Sequence, residues 1–442
     1  MTLLAPLGLY TDLYQIRMVE SYVRLGMTGT ATFSLFARPS RLRPFLVSDG
    51  LDLVLDVLDR FRFGADEIAY LRAQGVSGAA LEWVSRAEPT GELWAVPDGT
   101  LVLAGEPLLE LTAPLPMAQL LETALMNALH GATLVASKAA RLVRAARGRD
   151  VIDFGFRRAH GLETAVRGAL AAYVGGAAST SNVEAGRRYG IPIAGTMAHS
   201  FVQAFDHELE ALREFASDHP GTTLLVDTYD PIAGVANAIR AARAVAERGM
   251  RIGAIRIDSG PLAELGRDAR AMLDRAGLRD VKIVASGGLD EESIDELVRA
   301  GAPYDAFGVG SSLICSTDRP ALDMAYKLVE YAGVVRAKYS PGKATLPGRK
   351  QIFRSGSPAG DILELRDAAA VPGAPLLVPV WRDGRRLYEA DVGRARQRAA
   401  DALAPLPDEW FLPPGPEEVP EPSVGPALSA QAEATRRRLT GG

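Results

Sequence analysis

Apolar and polar positions follow three different patterns along the chain. Up to about Ala113 strand and helix signals are mixed. Thr30–Ala37 alternates at period two and predicts a strand. Leu51, Val54, Leu55 and Leu58 fall on one face of Leu51–Phe61 and predict an amphipathic helix. Leu93–Val96 and Leu101–Leu111, punctuated by Pro97, Asp98-Gly99 and Pro107, predict antiparallel strands joined by tight turns. From Met117 two helices are expected, a mostly apolar one over Met117–Leu134 and a more basic one over Ala136–Ala146. Seven short apolar runs then alternate with helical stretches such as Ile232–Arg248 and Leu262–Ala276. The runs are Val151–Phe154, Gly176–Ser179, Ile191–Ala194, Leu224–Val226, Ile252–Ile257, Val281–Ala285 and Asp305–Val309, and each ends in polar or small residues.

Short apolar strands alternating with helices imply a parallel sheet buried on both faces. This many units point to an irregular, open α/β barrel of about seven strands rather than a flat sheet. The alternation stops after Tyr331. Arg336–Arg354 is basic and punctuated by glycine and proline, and Leu363–Leu365 and Pro375–Trp381 are strand-like. Pro405–Pro426 is too rich in proline for a regular element, and Gln431–Leu439 suits a terminal helix. The expected organisation is an N-terminal α+β domain (1–116), an α/β barrel (117–332), a C-terminal segment returning to the N-terminal domain (333–404) and a Pro-rich tail (405–442).

Composition narrows the function classes. Of 442 residues, 48% are hydrophobic and 23% charged, as in ordinary globular chains. A net charge of −5 offers no global attraction for nucleic acid or anionic membranes, so any phosphate site must be local. The single cysteine, Cys315, excludes an internal disulfide and a Cys-rich zinc site, and it fits a reducing compartment. Met1–Tyr14 lacks a basic n-region and a long apolar core, as a signal peptide would have. No apolar run approaches the ~18 residues of a membrane span. A cytoplasmic protein without nucleic-acid or membrane partners is expected.

Ligands of barrels and open α/β sheets bind beyond the carboxyl ends of the strands. Those ends carry Arg157-Arg158, Ser179-Thr180-Ser181, Thr196 with His199, Asp227 with Asp230, Asp258-Ser259-Gly260, Ser286-Gly287-Gly288 and Gly308-Val309-Gly310-Ser311-Ser312. Two glycine/serine loops on consecutive late strands make a phosphate cradle, because bare backbone N–H groups approach phosphate oxygens closely. The plainer reading is that the glycines only turn the chain. Asp227 and Asp258, ending neighbouring strands, suit Mg²⁺ held through water or a developing cation, or else helix capping. His199 lies between hydroxyl residues at a strand tip. It is a candidate phosphorus nucleophile or a structural histidine, and His199 with His207, lacking a cysteine or a third histidine, makes a poor metal site.

Several motifs, in order, resemble nicotinate phosphoribosyltransferases. They are Thr11-Asp12-Leu13-Tyr14-Gln15, Gly195-Thr196-Met197-Ala198-His199-Ser200, Asp227-Thr228-Tyr229, Arg256-Ile257-Asp258-Ser259-Gly260, Val281–Gly288, Phe307–Ser312, Tyr326–Val329 and Lys343-Ala344-Thr345-Leu346-Pro347-Gly348. The resemblance implies that nicotinate and 5-phosphoribosyl 1-diphosphate give nicotinate mononucleotide and pyrophosphate, with ATP hydrolysed through phosphorylation of His199, in NAD salvage. It further implies that Tyr14 reaches nicotinate from the partner subunit of a homodimer and that Thr196 and Arg256 belong to the site. Thr345 is expected to contact phosphoribosyl pyrophosphate. Many relatives carry Asn or Asp within the stretch occupied here by Ser286-Gly287-Gly288, and the lone Cys315 excludes the C-terminal zinc knuckle of some relatives.

Such a reaction has an oxocarbenium-like transition state and a pyrophosphate leaving group that needs Mg²⁺ and cations. Arg157, Lys138 and Arg141 are candidates for the pyrophosphate, Asp258 for the catalytic carboxylate, and Arg256, with its planar fork, for the nicotinate carboxylate. With Asp227, Ser286, Gly287, Gly288, Gly308, Gly310 and Ser311 these complete the expected site. The alternatives are a phosphoribosyltransferase for nicotinamide or quinolinate, and a phosphosugar-binding barrel protein without this activity.

Overall fold

The computed structural model describes residues 6–341 and 343–440. Met1–Ala5, part of the stretch read for a leader, lie outside the described residues, as do Gly342 of the basic segment and Gly441 and Gly442 of the tail. Contacts divide the chain into two units, one of Met1–Ser137, Ala321–Trp410 and Pro414–Gly442, the other of Lys138–Pro320 and Phe411–Pro413.

The first unit is built on antiparallel pairing. Its largest sheet has seven strands in the order Val334–Val335, Met324–Tyr331, Thr30–Ala37, Pro107–Pro114, Glu92–Ala95, Val378–Arg382 and Arg385–Arg386. Thr30–Ala37 forms as its alternation predicts, and so does the helix Leu51–Arg60. The strand-like run ending at Trp381 pairs with Glu92–Ala95, so the segment after residue 333 adds to the same sheet as the N-terminal strands. Glu110 is fully buried in this sheet and is held by Lys350 (3.0 Å) and Arg366 (2.6 Å), the pairing a buried carboxylate requires. The two helices expected between Met117 and Ala146 are one helix, Leu115–Ala145, because Leu134-Val135-Ala136 contains no breaker. That helix runs across the 116/117 position, and the units part within it, between Ser137 and Lys138. The terminal helix starts at Pro426, earlier than expected, since proline is tolerated in a first turn. Its first amides, those of Ala427 and Leu428, donate to the Glu364 carboxylate at 2.9 and 2.6 Å. Before it, Pro405–Pro426 holds only the short Asp408–Trp410 turn of helix and the two-residue strand Ser423–Val424.

The second unit is a parallel α/β sheet. Its strands are β1 (Asp150–Asp153), β2 (Ser179–Thr180), β3 (Thr223–Leu225), β4 (Ala254–Ile257), β5 (Lys282–Ser286) and β6 (Ala306–Val309), in the order β2-β1-β6-β5-β4-β3. Every pairing is parallel. The strands are short apolar runs flanked by helices such as Pro231–Ala246 and Leu262–Arg275, which bury their faces. The register sets Leu225 and Val284 on either side of Arg256, and Ser286 beside Gly308, so the carboxyl ends of β3 to β6 lie side by side.

The sheet has six strands, not the seven expected. The Ile191–Ala194 run makes a single bridge, Ile193 with Thr180 of β2. The Thr180 amide donates to the Pro192 carbonyl (3.0 Å) and the Ala194 amide to the Thr180 carbonyl (2.9 Å). Pro192 has no N–H to continue the ladder, which keeps the run from becoming a full strand. Beyond it, Thr196 Oγ1 donates to the Thr223 carbonyl of β3 (2.8 Å). The segment therefore touches both edge strands, β2 and β3, and spans the gap of an open half-barrel.

Candidate active site

The strand β4 carries the charge that organises the site. Ala254, Ile255 and Ile257 are buried and apolar, but Arg256 between them brings a guanidinium to the strand end. Its Nε donates to Ser286 Oγ on β5 (2.6 Å), and its Nη2 bonds Asp258 Oδ1. Ser286 Oγ in turn donates to the same Asp258 oxygen (2.6 Å). Among the described residues Nη1 takes no hydrogen bond. The guanidinium lies 5.2 Å from the centre of the Phe154 ring, which follows β1, a cation–π contact that adds to its fixation.

Asp258 is anchored from the other side as well. Its amide donates to Asp227 Oδ2 (2.8 Å), and Ser259 Oγ donates to the same oxygen (2.7 Å). Burial would push the Asp258 carboxyl up; the Ser286 hydrogen bond and the Arg256 charge outweigh it and hold the carboxyl below the usual carboxylate range. The capping alternative for Asp258 is not realised, because the next helix starts after Pro261, whereas Asp230 does cap Pro231–Ala246 by accepting from the Ala233 amide (2.7 Å). Asp227 is buried, and its Oδ1 has no hydrogen-bond partner among the described residues. Nearby, burial pushes the Glu208 carboxyl up, and the charges of Asp230 and Asp227 add to this.

His199 begins the helix His199–Gln203 and stays partly exposed. Its Nδ1 is 3.1 Å from Thr228 Oγ1 and its Nε2 is 3.9 Å from Asp258 Oδ2. In the tautomer whose Nδ1–H donates to Thr228, the Nε2 lone pair is free for a nucleophilic step. Thr228 was not singled out from the sequence, although it lies in the quoted Asp227-Thr228-Tyr229 run. A hydroxyl one residue beyond a strand-end carboxylate was the available signal.

Two cavities meet at this network. The larger, about 930 Å³, is lined by Phe154, Arg157, Thr196, Met197, His199, Arg256 and Asp258, among others, and its rim carries the exposed apolar side chains of Phe156, Leu162, Val183 and Ile193. The smaller, about 430 Å³, shares Phe154, Arg157, Arg256 and Asp258 with it and adds the two glycine/serine loops, from Ser286 to Asp290 and from Gly308 to Ser312, with Thr317. Gly287 (φ 91°) and Gly288 (φ 69°) both adopt the left-handed conformation, and a Cβ on Gly287 would stand 1.8 Å from the Asp258 carbonyl oxygen. Glycine there is a requirement of the packing as well as of the turn. A side chain at Gly308 would meet the Phe154 ring at 2.4 Å.

Of the residues expected at the site, His199, Thr196, Arg157, Arg256, Asp258, Ser286, Gly287, Gly288, Gly308, Gly310 and Ser311 line one or both cavities. Asp227 lines neither cavity and reaches the site through the Asp258 amide and the Ser259 hydroxyl, from which it accepts. Lys138 and Arg141 are buried and line neither cavity; both bind Glu291. Tyr14 and Thr345 belong to the first unit. Tyr14 is half exposed on the helix Leu13–Arg24, and burial with the nearby Glu122 pushes its phenol up. Thr345 is buried, and its Oγ1 accepts from the Lys338 amide (2.9 Å).

Comparison with known proteins agrees with this arrangement. Residues 9–130 match the family model of the nicotinate phosphoribosyltransferase (NAPRTase) N-terminal domain, and residues 150–339 match that of the nicotinate phosphoribosyltransferase (NAPRTase) family. The chain is 47% identical over 411 residues to nicotinate phosphoribosyltransferase pncB2 of Mycobacterium tuberculosis, covering 91% of this chain and 88% of that protein. It is 42% identical over 358 residues to nicotinate phosphoribosyltransferase of Bacillus subtilis, covering 79% and 73% of the two chains. The crystal structure of human nicotinic acid phosphoribosyltransferase superposes with a TM-score of 0.83 at 27% identity, over 96% of this chain and 99% of that one. The chain therefore belongs to the nicotinate phosphoribosyltransferase family.

Proposed function

We propose that the two joined cavities transfer a phosphoribosyl group from 5-phosphoribosyl 1-diphosphate to nicotinate, with ATP hydrolysed through a phosphohistidine at His199, as a step of NAD salvage in the cytoplasm. The observation that carries this reading is the position of Arg256. It lines both cavities, is fixed by Asp258 and Ser286, and keeps Nη1 uncommitted among the described residues. A carboxylate on Nη1 would set the pyridine ring in the larger, apolar-rimmed cavity. The glycine/serine loops of the smaller one would take the phosphates on backbone N–H groups, with Arg157 between.

In this reading the pyridine nitrogen attacks the anomeric carbon as the bond to pyrophosphate breaks. The ionised Asp258 stabilises the developing oxocarbenium charge, its low pKa keeping it anionic at neutral pH. His199 Nε2 attacks the γ-phosphorus of ATP and ADP leaves; water later hydrolyses the N–P bond. Thr228 fixes the imidazole tautomer.

Among the described residues no group of three metal-ligating side chains occurs. Mg²⁺ does not need one, since it is commonly held by one or two carboxylates with waters and substrate phosphates. The uncommitted, buried Asp227 Oδ1 beside Asp258 fits that donor set. Asp227 and Asp258 would hold the ion, which when bound would neutralise pyrophosphate charge.

The assembly proposed is a homodimer with shared sites. Leu9, Tyr10, Leu13 and Tyr14 form an exposed run of large apolar side chains at the start of the first unit, and the family resemblance assigns Tyr14 to the partner's site.

Three outcomes are expected. Arg256→Ala should lower the apparent affinity for nicotinate about tenfold to a hundredfold, the ~1.5–3 kcal/mol of a charge-assisted hydrogen bond, while any nicotinamide turnover changes less. Steady-state assays with both pyridines read this, and equal losses would mark the arginine as structural only. His199→Ala should abolish ATP hydrolysis and its stimulation of turnover yet leave a slow ATP-independent transfer. With γ-labelled ATP the wild type should carry an acid-labile label that the variant lacks, and ATP hydrolysis persisting in the variant would reject the phosphohistidine. Mixing Tyr14→Ala with His199→Ala subunits should restore part of the ATP-coupled activity. No recovery between subunits shown to exchange would mean that each site is built within one chain.

A further inference from the structure

Behind the phosphate loops lies a buried cluster of charges that the chemistry above does not use. Lys138 and Arg141, three residues apart and so on one face of the helix Leu115–Ala145, are both essentially inaccessible to solvent. Lys138 Nζ donates to Glu291 Oε2 and to Asp318 Oδ1, the latter at 2.9 Å. Arg141 Nε donates to the other Glu291 oxygen, Oε1 (2.9 Å).

The two carboxylates occupy matching places. The first phosphate loop lines its cavity from Ser286 to Asp290, and Glu291 is the next residue, the first of the helix Glu291–Arg299. The second loop follows β6 and runs into the short helix Ser311–Cys315; just past that helix Thr317 also lines the cavity, with Asp318 next. One ammonium thus grips the first loop directly, at the residue after Asp290, and the second through the short helix that continues it. The loops leave adjacent strands, with Ser286 opposite Gly308, but nothing in strand pairing fixes how far apart their tips stand. A buried ammonium bridging two carboxylates does, because in its dry surroundings no water can replace either partner.

We infer that Lys138 is a positioning residue: through Glu291 and Asp318 it sets the spacing of the two phosphate loops, and it does not itself touch the pyrophosphate. This rests on the reading of those loops as the phosphoribosyl pyrophosphate cradle. Backbone N–H donors cannot reach out for a phosphate as a long side chain can, so displacements of an ångström forfeit much of the binding. Loosening the clamp should therefore weaken phosphoribosyl pyrophosphate selectively.

The test compares the whole wild-type protein with Asp318→Asn and Lys138→Met, using calorimetric titration with phosphoribosyl pyrophosphate and Mg²⁺ and steady-state kinetics. Asp318 is partly exposed, so its variant should fold even if Lys138→Met, which removes one of the two cations on buried Glu291, does not. The expected result for Asp318→Asn is a roughly tenfold rise in Kd and KM for phosphoribosyl pyrophosphate, with kcat and the KM for nicotinate within about twofold of wild type. Lys138→Met, where folded, should show the same split more strongly. Unchanged phosphoribosyl pyrophosphate affinity in Asp318→Asn would overturn the inference, as would equal weakening of both substrates, the mark of general loosening. If wild type itself fails to bind phosphoribosyl pyrophosphate, the cradle reading falls and this inference with it. Wild-type binding with indifferent variants removes only the positioning role.

Discussion

A guanidinium in a buried strand has to be paired, and the α/β unit is arranged around meeting that demand at Arg256. Water reaches only part of it there, so anionic and hydroxyl partners must come from the ends of its own and neighbouring strands. Asp258 and Ser286 do this, and Asp227 holds the backbone of Asp258 from β3. The ends of three adjacent strands are thereby tied into one hydrogen-bonded group. His199 stands at its margin, 3.9 Å from Asp258, and the two glycine/serine loops line the smaller cavity beside it. Positioning, low carboxylate pKa and the meeting of the two cavities are consequences of one half-buried charge and its partners.

The same constraint explains the glycines. Gly287 has to pass within contact of the Asp258 carbonyl, and Gly308 lies under the Phe154 ring that carries Arg256 on its face. Both would be glycine for packing alone. Gly308 sits within β6, whereas Gly287 lies past the end of β5, so the same packing that demands glycine leaves a bare backbone edge beside the smaller cavity.

Much of this was legible in the chain itself. Buried parallel strands are continuous apolar runs, so five of the seven runs named from the sequence coincide closely with strands of the sheet, and Gly176–Ser179 meets β2 only at Ser179. Ile191–Ala194 falls short because Pro192 removes a ladder donor, a local fact that the apolar pattern does not carry. The polar tips were readable because strand ends are where polar residues interrupt such runs. What the sequence could not supply were partners distant along the chain. Arg256 looked free to bind a carboxylate, yet its nearest anion is Asp258, and Ser286 is thirty residues away. Lys138 looked like a phosphate ligand because it is a basic residue near an early strand. Its partner Glu291 lies 153 residues on, which only the fold reveals.

The central claim is that the Arg256 network divides one site into a pyridine half and a phosphate half. A crystal structure of the protein with nicotinate mononucleotide tests it most directly. The account predicts the carboxylate on Arg256, the ring in the cavity lined by Met197 and Thr196, and the phosphate on the amides of Gly287-Gly288 and Gly310-Ser311. A nucleotide bound in the reverse sense, or away from the ends of β4, β5 and β6, would contradict it.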